Sequence, residues 1–222
     1  LRARGRCCGC GCRHCPYNNE NMAPEKRATR ASQPSLLVGS FDIVADSVDV
    51  LFWSGGKDSY LAARALCREH GSVRRLVLLT TFEAVSRQVA HQELPISAVM
   101  RQVEALGVPL VGVPLSKHIP YKNRIDEVRP PPTRMRNRNP VAAAHELLPP
   151  QQRLPSLSPQ ALTYIANSKS IDRVCNGDLH LEYVRQWRVD NIGPIAARLG
   201  AVLHAPLWQV PYDTLTADLW AS

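Results

Sequence analysis

Residues 54–59 read Ser-Gly-Gly-Lys-Asp-Ser, a run in which each residue bears on the binding of an anion. The paired glycines, Gly55 and Gly56, permit backbone conformations with positive φ and let the main chain approach a ligand closely. The Ser54 and Ser59 hydroxyls can donate to phosphate oxygens, and Lys57 adds a mobile cation. Asp58 has the wrong sign for a phosphate nest unless it caps a helix or holds a divalent cation, for which Mg²⁺ is the candidate. The spacing is not the G-x-x-x-x-G-K-[ST] pattern of a Walker A loop. An ordinary Gly-Lys turn is the plainer alternative, and the elements around the motif argue against it.

A phosphate loop needs a strand to deliver it and a helix to receive it. Val48–Trp53 is apolar almost throughout, as a parallel strand covered on both faces should be. A helix is expected from Tyr60 to His70, stopped by Gly71, and its free N–H groups and positive dipole end would face the loop. Further along, strands are expected at Arg75–Phe82, Pro109–Leu115, Ile171–Cys175 and Ala201–His204. Helices are expected from Pro95 to Gly107, at Tyr121–Val128, at Leu179–Trp187 and near Thr214–Trp220. Strand and helix in alternation predict an α/β fold, a Rossmann-like parallel sheet with helices on both faces. Ligands in such sheets bind at the carboxyl ends of the strands, near the switch in strand order. The first strand carries Ser54–Ser59 to that position.

The chain has 222 residues, 45% of them hydrophobic and 21% charged, which fits one globular domain and excludes collagen, coiled coil and wholesale disorder. No stretch approaches the ~20 apolar residues of a membrane helix. The net charge of +8 resides in two appendages. Residues 1–34 hold seven Lys/Arg against two acids, and residues 129–153 hold five Arg against one Glu. The remainder is close to neutral, so nucleic acid and membrane are not expected partners of the domain.

The division that follows is a Cys- and Arg-rich, disordered or transit-like segment at 1–47 and a phosphate-loop domain at 48–222. A Pro/Arg-rich insertion at about 129–159, holding eight of the 18 prolines, interrupts that domain. Cytoplasmic location is the default, with organelle targeting open to the Arg-rich start. Five of the seven cysteines fall at Cys7, Cys8, Cys10, Cys12 and Cys15, forming C-x-x-C pairs at Cys7/Cys10 and Cys12/Cys15. Only Gly11 separates the pairs, so low-complexity sequence is the expectation here and bound zinc is not. Cys67 and Cys175 read as small core residues.

FWSGGKDSYLAARAL resembles the PP-loop of the ATP-pyrophosphatase superfamily, whose hallmark is SGGxDS after the first strand. VAHQELPISAVMRQVEALGVPLVGVPL and GDLHLEYVRQWR resemble the diphthine–ammonia ligase-like branch. Together the likeness spans Val48–Val128 and Ile171–Trp208. It implies that 48–222 is an ATP-binding domain in which Ser54, Gly55, Gly56, Lys57, Asp58 and Ser59 hold the pyrophosphate portion with Mg²⁺. It also implies cleavage between the α and β phosphates, adenylation of a carboxylate, and attack by ammonium on the acyl-adenylate. The acceptor in the branch is diphthine on elongation factor 2. Thr81 and Phe82 would shape the adenosine pocket. Gly177, Asp178, Glu182 and Arg185 would face the same cleft, with Lys57, Asp58, Asp178 and Glu182 as the catalytic set. His91 and Gln92 fall in the loop after the second strand.

The chain stops at Ser222, short of a Gly/Glu-rich segment that the branch carries further on, so a C-terminal truncation is expected and ATP binding is better supported than diphthine amidation. Two other readings compete. One is a PP-loop tRNA-modifying enzyme, whose thiolating members carry C-x-x-C zinc pairs. The other is a nucleotide-binding module without catalysis.

Overall fold

The computed structural model describes residues 5–12, 15, 21–22, 33–42, 45–71, 75–84, 86–89, 92, 94–115 and 159–221. Along these the chain forms β1 (Ser35–Val38), β2 (Ser47–Phe52), α1 (Lys57–His70), β3 (Leu76–Glu83), α2 (Ile96–Leu106) and β4 (Leu110–Leu115). It continues with α3 (Pro159–Ala166), β5 (Ser170–Cys175), α4 (Glu182–Asn191), α5 (Gly193–Arg198), β6 (Val202–His204) and α6 (Tyr212–Trp220). The strands make one sheet in the order β1-β4-β3-β2-β5-β6, parallel throughout except for β1, which runs antiparallel to β4. The fold is a Rossmann-like α/β sheet. Chain order reverses on either side of β2: the chain goes first to β3 and β4, then returns to β5 and β6.

Alternation along the strands decides which helices cover which face. Leu51, Trp53, Leu76, Leu78 and Leu110 pack with Leu61 and Leu66 of α1, Val99 and Val103 of α2, and Leu215 of α6. Val48, Val50, Val77, Leu79 and Val111 point the other way, onto Leu162 and Ile165 of α3, Trp187 of α4, and Ile192 and Ala196 near α5. Both faces are dry, which is why β2, β3 and β4 read as continuous apolar runs.

One carboxylate interrupts the α1 face. Asp49 is fully buried and accepts from Arg173 Nε at 3.0 Å and Nη2 at 2.6 Å, with His70 Nε2 at 2.7 Å. Burial alone would raise its pKa, but the Arg173 guanidinium and His70 outweigh burial and hold it lowered. Arg173 Nη1 also donates to Glu69 Oε2 at 2.6 Å, and Glu69 Oε1 lies 3.3 Å from His204 Nε2. This network ties the last turn of α1 to β2, β5 and β6. It fixes the helix axis and so aims its other end at the loop.

Several expectations are corrected here. β1 lies inside the stretch 1–47 read as a disordered leader; Ser35 and Leu36 pair with Gly112 and Val111, and Leu37 is buried. Its four residues are too short and too poorly alternating to stand out in the sequence. Pro159, expected to end the insertion, opens α3 instead, where a proline's missing N–H costs nothing. The remainder of the insertion and the helix expected at Tyr121–Val128 lie outside the described residues. α4 begins at Glu182, three residues later than expected, because Asn176–Leu181 forms a loop.

Candidate functional site

Where β2 and β5 end side by side, two loops leave the sheet and meet. From β2 comes Trp53–Gly56, leading into α1. Gly55 takes φ +80°, a conformation that favours glycine, and a Cβ there would lie 2.8 Å from Gln102 Oε1. Gln102 on α2 donates from Nε2 to the Gly55 carbonyl at 3.4 Å, holding the turn from the side. Gly56 is the N-cap of α1 and has no side-chain cap; the first intrahelical bond is Tyr60 N–H to Gly56 O at 3.1 Å. The main-chain donors of residues 57–59 are therefore open to a ligand at the positive end of the helix. Ser59 Oγ donates to Gly56 O at 2.8 Å and lies 3.3 Å from Ser54 Oγ, while Gly56 N–H donates to Ser54 Oγ at 3.3 Å.

From β5 comes Asn176–Asp178. Asn176 Oδ1 accepts from the Asp178 N–H at 3.1 Å, tightening the turn. Gly177 then passes so close to α1 that a Cβ on it would lie 2.9 Å from the Asp58 carbonyl oxygen and 3.3 Å from the Ser59 nitrogen. Between the loops is a cleft of about 180 Å³, lined by Trp53, Ser54, Asp58, Ser59, Thr80, Thr81, Asn176, Gly177, Asp178 and Arg188 among others. The buried Thr80 hydroxyl and Trp53 indole N–H on its wall have no hydrogen-bond partner among the described residues. Orphaned buried donors of this kind call for a polar ligand.

The structure gathers most of the sequence-named residues here: Ser54, Gly55, Gly56, Asp58, Ser59, Thr81, Gly177 and Asp178. Lys57 is exposed at the rim, its Nζ paired with Asp58. Four residues sit otherwise than expected. Phe82 faces away from the cleft into the core, 1% exposed, with the Arg87 guanidinium 4.6 Å from its ring centre. Phe82 packs instead within the apolar cluster on the α1 side of the sheet. Glu182, the first residue of α4, is exposed and does not line the cleft. Arg185 stacks over Trp208 at 4.7 Å. Asp178 does line the cleft, but its carboxylate is committed: Arg188 Nη2 donates to Oδ1 at 2.9 Å and Nε to Oδ2. His91 lies outside the described residues, and Gln92 Oε1 reaches within 3.7 Å of the position a Gly56 Cβ would take.

Arg188, Asn176 and Gln102 are site residues that sequence reasoning passes over. Arg188 is 8% exposed, with Cζ 5.6 Å from the Phe52 ring centre. Its signal is present in the sequence: one turn past Arg185 it shares the inward face of α4 with Trp187. Around Asp58, no group of three or more His, Cys, Asp or Glu side chains converges among the described residues. A Mg²⁺ bound by Asp58 would take its remaining ligands from phosphate oxygens and water.

Three comparisons bear on these observations. Residues 1–21 match a family described as a family of unknown function (DUF5522). No curated protein matches the chain. Among solved structures, the chain is similar to a predicted subunit of tRNA methyltransferase from Methanocaldococcus jannaschii, at 22% identity over 78% of this chain and 73% of that one, with a TM-score of 0.42.

Proposed function

We propose that the chain is an ATP-binding, AMP-forming enzyme of the PP-loop type. The observation that carries this reading is the meeting of Ser54–Ser59 with Asn176–Asp178 at the switch in strand order. There, open helix N–H groups, two serine hydroxyls and the orphaned Thr80 hydroxyl border one cleft. ATP would supply an electrophilic α-phosphorus with pyrophosphate as leaving group. The chain's own residues bind and neutralise: residues 57–59 and Ser54 donate to the pyrophosphate oxygens, Lys57 swings from Asp58 onto them, and Asp58 is freed for Mg²⁺. Donors fixed where charge grows are the largest single contribution a protein makes to such a step. Thr80, Thr81 and Trp53 would border the nucleoside.

For the acceptor, the resemblance of GDLHLEYVRQWR to the diphthine–ammonia ligase-like branch supports a carboxylate, amidated by ammonium. Diphthine on elongation factor 2 is the first acceptor to test. In this reading Arg188, held in place by Asp178, faces an anionic acceptor or the α-phosphate, and the part of Asp178 is to position Arg188. Free ammonium is the nitrogen source in this reading; Cys67 and Cys175, the two cysteines of the sheet domain, have thiol pKa values raised by desolvation, which disfavours either as a glutaminase nucleophile. A PP-loop tRNA-modifying enzyme is the second reading, supported by the Cys- and Arg-rich start. Steeply salt-dependent tRNA binding would favour it.

The test is product analysis. With ATP, Mg²⁺ and a carboxylate acceptor, AMP and pyrophosphate should appear in equal amounts. Lys57→Ala should slow their release at least ~100-fold, as loss of one leaving-group donor does. Stoichiometric ADP, or unchanged turnover in the variant, would overturn the assignment.

A further inference from the structure

A second site lies at the other end of the chain and owes nothing to the nucleotide reading. Among the described residues from Gly5 to Met22, the buried side chains are Cys7, Cys15 and Met22, at 3%, 4% and 6% exposure. They sit beside left-handed turns at Gly5, Gly9 and Gly11, where φ is 70°, 72° and 69°. Segments this small need a disulfide or a metal to stay folded.

None of the seven cysteines is in a disulfide. The Cys7 and Cys15 sulfurs stand 3.7 Å apart, well beyond the ~2.05 Å of an S–S bond. The same separation matches the ~3.8 Å edge of a tetrahedron of thiolates at ~2.3 Å from a zinc ion. The Gly9 N–H donates to Cys7 Sγ at 3.4 Å. Asn21 Nδ2 donates to the Cys7 carbonyl at 2.6 Å and closes the segment on itself. Cys8 and Cys12 are half-buried, whereas Cys10 is exposed with its Sγ turned to the Cys8 carbonyl at 3.7 Å.

Spacing alone pairs Cys7 with Cys10 and Cys12 with Cys15, across a one-residue spacer too short to fold back. The geometry brings Cys7 to Cys15 instead. We propose that Cys7, Cys8, Cys12 and Cys15 form a structural zinc site in which Cys7 and Cys15 are the preset ligands, Cys8 and Cys12 close the shell, and Cys10 stays outside. Soft thiolates select zinc over Mg²⁺ or Ca²⁺. Among the described residues no three ligands already converge, so the shell closes as the metal enters and the ligand thiols release their protons to solvent.

The full chain, grown with zinc and purified without chelator, should carry one zinc ion by elemental analysis. Exchange with Co²⁺ should give the visible bands of tetrahedral cobalt and a thiolate charge-transfer band. Cys7→Ser and Cys15→Ser should lose the metal, while Cys10→Ser, Cys67→Ser and Cys175→Ser keep it. If a variant fails to fold, the wild-type cobalt spectrum still decides between thiolate coordination and none. A wild-type chain with no zinc and no cobalt spectrum would overturn the site. So would loss of metal in Cys10→Ser equal to that in Cys7→Ser, or a Cys7–Cys15 disulfide trapped by alkylation at lysis.

Discussion

Gly177 is the point where the two loops of the cleft touch. A methyl group there meets main-chain atoms of Asp58 and Ser59, which cannot rotate aside as a flexible side chain would. Gly177→Ala must push the β5 loop away from the first turn of α1, opening the donor set around the pyrophosphate position. We expect a loss of about 1–3 kcal/mol in stability, the usual cost of overpacking, together with weaker ATP binding. Thermal melting and calorimetric titration read both quantities. Wild-type values in each would show that the close approach has no bearing on the site. The same residue illustrates how a sequence is misread locally. Sequence alone suggests Gly177 as a ligand contact, yet its absent side chain matters first for the packing of one backbone on another.

Among the elements, α1 carries the most consequence, and its C-terminal half is held twice. The Asp49 network fixes its last turn. Midway along, Asp218 of α6 accepts from Arg68 Nη1 and Nη2, each at 2.7 Å, and from Arg64 Nη2 at 2.8 Å. The Arg68 guanidinium, against the opposing effect of burial and with the help of Arg64, brings the Asp218 pKa down from 3.8 to about 2. A lowered carboxylate pKa stabilises the fold above the unfolded value and loses that contribution as pH falls through the folded one. Asp218→Asn should therefore cost about 1 kcal/mol at neutral pH, the upper range for a partly exposed pair. The difference from wild type should hold from pH 7 to pH 5 and close as pH drops from about 4 towards 2. Melting curves of both proteins across that range provide the check; a gap that persists at pH 2 would assign the effect to something other than the carboxylate charge.

At the scale of the whole molecule, β1 marks where the domain begins. It covers the open edge of β4, Leu36 N–H donates to the Tyr164 hydroxyl at 3.3 Å, and Phe41 sits edge-on to the same ring. A chain starting at Gln33 should keep the melting temperature and ATP affinity of the full chain. One starting at Gly39 should melt lower and scatter light, since it bares a flat apolar edge. Equal behaviour of the two would place the domain boundary after β1, where composition alone puts it.

Unlike β1, α3 and α5, the order of the parallel strands β2 to β6, the helices α1, α2, α4 and α6, the loop at residues 54–59 and its place at the end of β2 were legible in the amino-acid sequence. Each is a local matter: apolar runs, glycine stops and helix periodicity need no partner to be recognised. The tertiary structure decided which side chains meet. Asp178 finds Arg188 because α4 turns the Trp187 face inward, and Glu182 is left outside because the loop before α4 delays the helix by three residues. Gln102 reaches Gly55 across α2, and Cys7 finds Cys15 over the Cys10 that spacing offers it. These contacts join residues that local patterns treat independently. Parallel crossovers and short edge strands bring them together only when the sheet is assembled.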